Sequence, residues 1–346
     1  MPKKAHRFWQ VMIFGFFLAF ASAEGNTLKV NIIANVKSFQ IFRGDFFFST
    51  SDGILRYNKD AHFCNQIGKK GQGPGELENF DNFGFLEGKL FVSDSKKVAV
   101  FGLDGRLDRE WRNTLTSPSV VLLPNNIEVA ITSDIRREDG GNRISWIKKI
   151  TRHDFGKNIV TELLTSEIRN TPGYDFEGIE PIIQARYCER YSQLYVSNPN
   201  LGSIDVYNTS GEHMAVLRLQ QYLKPIEVTA AYRNEFFGII FQDQRFQDEL
   251  LVERLKKAIH FSKYFPLFHS FYIDEEGNIL IRTFQKESNK LVYCRFNLDG
   301  AMRARSAIDD KTFDVTCAEK YVAFHKGAIW QLFTNDDGEY FLERFD

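Results

Sequence analysis

Gly68-Lys69-Lys70-Gly71-Gln72-Gly73-Pro74-Gly75-Glu76-Leu77 is the stretch on which the reading of this chain turns. Four glycines and a proline fall within its first eight residues. Glycine reaches φ values that other residues avoid, and proline removes a backbone donor, so the stretch is a built turn and neither helix nor strand. Short β-rich segments lie on both sides of it. The turn is therefore read as the joint between two similar units.

Working outward, the units repeat. Lys89-Leu90-Phe91-Val92-Ser93-Asp94 matches Gln193-Leu194-Tyr195-Val196-Ser197-Asn198, each a β-rich run ending in a turn former. A second strand and a glycine turn follow each. Phe101, Tyr207 and Phe296 precede Gly105, Gly211 and Gly300 by the same four residues, and Tyr57 stands in the same relation to Ala61. The aromatic is expected to pack between layers while the Asp-Gly or Ser-Gly pair reverses the strand. With a degenerate copy at Ile150 and a last one at Phe341, the spacing suits a four-stranded sheet per repeat.

Six units result, at 36–70, 78–113, 117–165, 178–220, 265–308 and 318–346. The sixth lacks a fourth strand at its C-terminal end. Thr27–Val36 is strand-like and has no unit of its own, so placing it on the sixth sheet closes the ring and removes an open edge. The fold expected is all-β: a six-bladed β-propeller of four-stranded antiparallel blades, with an N-terminal strand closing the last blade. One interval is too long, leaving a helical insertion at about 221–264. Gln244 to Phe261 is its good helix pattern, with Phe246, Leu250, Leu251, Leu255, Ala258 and Ile259 on one face. That helix is expected to pack on the rim of the ring. The alternative is a lid or docking element.

Lys3, Lys4 and Arg7, then an apolar run from Phe8 to Phe20, then Ala21-Ser22-Ala23, have the layout of a secretory signal peptide over residues 1–23. The run is short of the roughly 20 apolar residues that span a bilayer. No stable membrane span is expected after cleavage, and residues 24–346 form the propeller domain. The product is expected to be exported to the periplasm, the cell surface or beyond. Loss of three basic side chains takes the formal charge from −1 to −4. With no basic block, nucleic acid is excluded as the main partner. A monomer is expected.

The pattern resembles the exported bacterial six-bladed propellers related to the NHL repeat. Gly71-Gln72-Gly73-Pro74-Gly75-Glu76, the Leu90–Asp94 and Leu194–Asn198 strands, and Asp274-Glu275-Glu276-Gly277-Asn278-Ile279-Leu280-Ile281 carry the resemblance. It implies the fold and is nearly silent on activity, because such propellers include binding scaffolds, sensors, lactonases and lyases.

Chemistry-bearing residues are few. The Gly-rich stretch is no phosphate loop, since Gly73 is followed by Pro74-Gly75 and the residue three after Gly73 is Glu76. Gly71, Gly73, Pro74, Gly75 and Glu76 are therefore structural turn residues, with Glu76 expected to accept backbone N–H groups. His269 and His325, near inner strands, are the two candidate metal ligands. No cofactor is predicted; a divalent metal such as calcium in the central channel is the one to test. Cys188, with Arg186 and Arg190 at i±2, is a candidate lowered-pKa thiol against the ordinary reading of a buried strand cysteine. Cys294 and Cys317 are the pair to check for a disulfide. No catalytic motif is present. The leading expectation is a non-enzymatic binding or scaffold protein taking a protein, peptide or glycan at the channel face. The alternative is a metal-dependent lactonase-like hydrolase or lyase.

Overall fold

The computed structural model describes residues 26–32, 34–113, 115, 120–138, 143–169, 176–177, 182–241, 248–288, 290–309 and 321–346. Residues 1–23, expected to be a signal peptide, and Cys317 lie outside them. Six four-stranded antiparallel sheets succeed one another around a ring. Blade 1 is Ser38–Phe42, Asp45–Ser49, Ile54–Tyr57 and Phe63–Ile67; blade 2 is Asn82–Leu86, Lys89–Ser93, Lys97–Phe101 and Leu107–Arg112. Blade 3 is Val120–Leu123, Ile127–Glu138, Arg143–Asp154 and Ile159–Arg169; blade 4 is Ala185–Cys188, Gln193–Asn198, Ser203–Asn208 and His213–Arg218. Blade 5 is Ser270–Ile273, Ile279–Glu287, Lys290–Phe296 and Met302–Ile308. Blade 6 takes Val322–His325, Ala328–Thr334 and Tyr340–Phe345 from the C-terminus and Asn26–Val30 from the N-terminus. The closing pair is antiparallel, with Leu28 opposite Leu342.

The sequence pattern follows from where each strand sits. Middle strands are sandwiched between two neighbouring blades, so both of their faces are buried and they read as continuous apolar runs, such as Phe46-Phe47-Phe48 and Leu90-Phe91-Val92. Outer strands meet solvent and carry charge, as in Leu107-Asp108-Arg109-Glu110-Trp111-Arg112. Among the described residues the buried apolar side chains form six clusters, each joining one pair of adjacent blades. The marker aromatics sit in them: Tyr57 between blades 6 and 1, Phe101 between 1 and 2, Tyr207 between 3 and 4, and Phe296 between 4 and 5.

The two faces of the ring differ. Connections from inner to second strand, and from third to outer strand, lie on one face and are two to five residues long throughout. Every longer connection leaves and rejoins the strands on the other face. There the inter-blade segments run from 7 residues (31–37, 113–119) to 51 residues (219–269, between Arg218 and Ser270). The Gly-rich turn is one of them. Blade 3 also extends toward this face: only Ile127–Ala130 of its second strand pairs with the inner strand, and Ile131–Glu138 continues against Arg143–Ile150.

The insertion departs from the sequence reading in three ways. It spans 219–269 and, among the described residues, holds two helices, α1 (Ala230–Ile240) and α2 (Glu249–Ala258). The earlier helix was missed because Phe236-Phe237-Gly238-Ile239-Ile240 reads as a strand by composition. α2 is shorter than 244–261. Asp248 caps it by accepting from the backbone N–H of Leu250 and Leu251, and Ile259–His260 leaves the helix to pair in parallel with Phe176–Glu177. Nor does α2 pack on the rim. None of its residues is buried, Leu250 is 72% exposed, and its Lys256 ammonium lies over the Phe237 ring of α1. α1 is the anchored helix: Tyr232 meets Phe265 edge-on, Phe265 stacks on Phe284 of blade 5, and Phe284 meets His269.

The turn between third and outer strand gives a stability test. Gly105, Gly211 and Gly300 all have positive φ, and Ala61 takes the same conformation at φ 58°. A Cβ in that region costs about 1–2 kcal/mol. Ala61→Gly is expected to raise unfolding stability by up to about 1 kcal/mol after the entropy of the unfolded glycine is offset. Denaturant titration reads it, and a loss of stability would contradict the account.

Candidate functional site

The Gly-rich turn is tied down from inside. Lys69–Lys70 pairs in parallel with Glu76–Leu77. The Gly71 N–H donates to Leu77 O (3.1 Å), the Glu76 N–H to Gly73 O (3.0 Å), the Gly73 N–H to Glu76 Oε2 (2.8 Å), and the Gly75 N–H to Glu110 Oε2 (2.8 Å). These turn amides are spent within the protein, so they form no cradle for a phosphate. Gly71 lets the Glu76 carboxylate come close: a Cβ there would stand 2.1 Å from Glu76 Oε2 and would push that carboxylate aside. The hydrogen bond from Lys69, then the Gly73 N–H, holds the Glu76 carboxyl below its ordinary pKa.

Against this turn lies a cleft of about 350 Å³ on the loop-bearing face, walled by Gly71, Gln72, Glu78, Asp94, Lys96, Lys97, Glu110, Trp111 and Arg112. Its walls come from three places. The inter-blade connection supplies residues 71–78, the turn between second and third strands of blade 2 supplies 94–97, and the outer strand supplies 110–112. Asp94 organises the middle wall. It is 3% exposed and accepts from the backbone N–H groups of Glu78 (2.9 Å), Lys96 (2.7 Å) and Lys97 (2.8 Å). Lys96 pairs with Glu78 at 2.5 Å, and Lys97 reaches Gly73 O (2.8 Å) and Glu110 (3.3 Å). Arg112 is exposed and forms no ion pair among the described residues.

His269 and His325 are both buried, at 6% and 8% exposure, but they are not brought together. His269 precedes the inner strand of blade 5, and His325 is the last residue of the inner strand of blade 6. Inner strands run the same way around a ring, so the two lie at opposite ends of the channel wall. Four residues of strand at about 3.3 Å each separate those levels. His269 contacts Ser270 Oγ through Nδ1 (3.1 Å) on the loop-bearing face. His325 sits on the short-turn face beside Asp274, Glu275 and Glu276, and burial lowers its pKa against the pull of Glu275. Asp274 is engaged by the backbone N–H groups of Glu276, Asn278 and Gly327. Among the described residues no three of His, Cys, Asp and Glu converge as a metal site. The two histidines do not fit a shared channel cation.

The lowered-pKa thiol is corrected. The chain leaves its strand at Cys188 and turns into a 3-10 segment, Glu189–Tyr191, so strand alternation no longer sets Arg190 beside the sulfur. Burial pushes the Cys188 thiol up and the Cys294 thiol up to about 11. Both are buried free cysteines, and Cys64 is an exposed one.

One buried charge escaped the sequence reading. Glu128, on the second strand of blade 3, is 1% exposed. It accepts from the Trp111 indole N–H across the blade 2–3 boundary, and its other oxygen has no partner among the described residues. His153 stands opposite it in register. Burial raises the Glu128 pKa more than the indole lowers it. As an ordinary strand glutamate it gives no local signal; only the ring makes it internal.

No family model matches the chain, and no curated protein matches its sequence. Solved structures do match in fold. A Bacteroides fragilis protein named for its expected export superposes with a TM-score of 0.50 at 11% identity, over 93% of this chain and 94% of that one. A DUF4221 member from Bacteroides vulgatus gives 0.49 at 10% identity, over 93% and 96%. Virginiamycin B lyase from Staphylococcus aureus gives 0.42 at 11% identity, over 93% and 100%. At such identities the likeness is one of fold. The chain is a six-bladed β-propeller, similar in fold to that Bacteroides fragilis protein.

Glu128 yields a pH prediction. Its folded pKa is raised, so the protonated carboxyl is the form the fold favours, and stability falls as pH rises from about 4.3 through the folded value. Glu128→Gln keeps an acceptor for Trp111 without the charge. It is expected to raise Tm at pH 7 by roughly 1–3 °C, with the difference vanishing toward pH 4. A lowered Tm at pH 7 would show that the carboxylate is stabilised in the fold.

Proposed function

We propose that this chain is an exported, non-enzymatic propeller that binds its ligand, a protein, peptide or glycan, on the loop-bearing face. One observation carries the reading: every connection longer than five residues starts and ends on that face, whereas the opposite face is closed by uniform short turns. Long connections on a rigid ring are where recognition is placed at little cost to the scaffold. The chain also leaves exposed apolar side chains there, including Leu201, Tyr222 and Tyr264, 64%, 36% and 47% exposed. The basic, apolar, then small-residue N-terminus supports export, as does the name of the Bacteroides fragilis neighbour. No described helix is long and apolar enough to cross a membrane.

Peptide and glycan arrays probed with the purified protein test the reading. Binding is expected to fall at least tenfold with Leu201→Arg/Tyr222→Arg or with substitutions around the cleft, and to survive Asp104→Arg, Glu212→Arg and Asp299→Arg on the short-turn face. The reverse pattern would overturn it. Elemental analysis with chelator melts tests the non-enzymatic half: a stoichiometric divalent metal whose removal lowers Tm would favour the lactonase-like alternative.

A further inference from the structure

We infer that the cleft beside the Gly-rich turn binds an acidic saccharide, with Arg112 receiving the sugar carboxylate; this rests on the reading that the loop-bearing face is the binding face. The charge account of the walls leads there. Lys96 is balanced by Glu78 and Lys97 by Glu110. Asp94 is turned into the wall, its oxygens occupied by three backbone N–H groups. Arg112 is the charged group left open to the cleft. Its planar guanidinium presents a fork of donors that matches a carboxylate in two parallel hydrogen bonds.

The rest of the wall selects the body of the ligand. Gln72, Glu78 and Lys96 stand together, with the Gln72 amide 3.3 Å from Glu78 Oε1. Such mixed donors and acceptors suit vicinal hydroxyls. Trp111 commits its indole N–H to Glu128 and packs with Leu86, Val98 and Val120 between blades 2 and 3. A phosphate would want free backbone amides, and those of the turn are spent. A volume of about 350 Å³ lies at the small end of ligand sites, the scale of one or two sugar rings.

Titration calorimetry of the purified protein tests this with oligogalacturonate, oligomannuronate and hyaluronan fragments, each beside its carboxyl-reduced neutral form. At least one acidic member is expected to bind, with its reduced form weaker by about tenfold or more. Arg112→Gln should lose the same factor with Tm unchanged, and Arg112→Lys should recover only part, because lysine lacks the fork. Hydrogen exchange should slow in 71–78 and 94–97. Equal binding of acidic and reduced forms, binding indifferent to Arg112→Gln, or no binding by any member would overturn the inference. Protection falling instead on 219–241 or 248–269 would refute the cleft while leaving the binding face intact. Protection on the short-turn face would refute both.

Discussion

Burial between blades is the constraint from which the rest follows. A single four-stranded sheet leaves both apolar faces wet, so each blade is stable only against two neighbours. The six clusters meet this requirement in turn, and the sixth and first blades can meet it only if the ring closes. Closure is achieved by the N-terminal strand Asn26–Val30 pairing with Tyr340–Arg344. The two ends of the chain thus hold each other, and no blade keeps an uncovered face.

Once the ring is fixed, the connections are free to differ. Short turns on one face are repeated solutions to one geometric problem: Asn58, Asn208 and Asn297 each accept, through the side-chain oxygen, a backbone N–H at the following positions of the same kind of turn. On the other face the connections diverge in length, and two of them are stitched together where Phe176–Glu177 pairs with Ile259–His260. The cleft belongs to this variable face, yet its floor is rigid, because Asp94, Lys97 and Glu110 clamp the Gly-rich turn onto blade 2.

Much of the fold was legible because its signals are local. The turn glycines, the apolar middle strands and the marker aromatics each lie within a few residues, and their recurrence defined six units. What was not legible is what the ring assembles from a distance. The cleft draws on residues 71–78, 94–97 and 110–112, which no spacing rule connects. The parallel pairing of 176–177 with 259–260 is two residues long and non-local. Glu128 reads as a surface glutamate until blade 2 covers it. His269 and His325 were separable in principle: setting Ser270–Ile273 beside Val322–His325 shows one histidine before its strand and the other at its end. α1 was hidden by a run of aromatic and β-branched residues whose strand preference tertiary context overrode, with Phe236 buried.

A crystal structure of the protein with a bound oligouronate tests the central claim most directly, that one face of a closed ring is scaffold and the other recognises ligand. The account predicts sugar density in the cleft on the loop-bearing face, with the carboxylate against Arg112. Density at the short-turn face, or on the ring axis between His269 and His325, would contradict it.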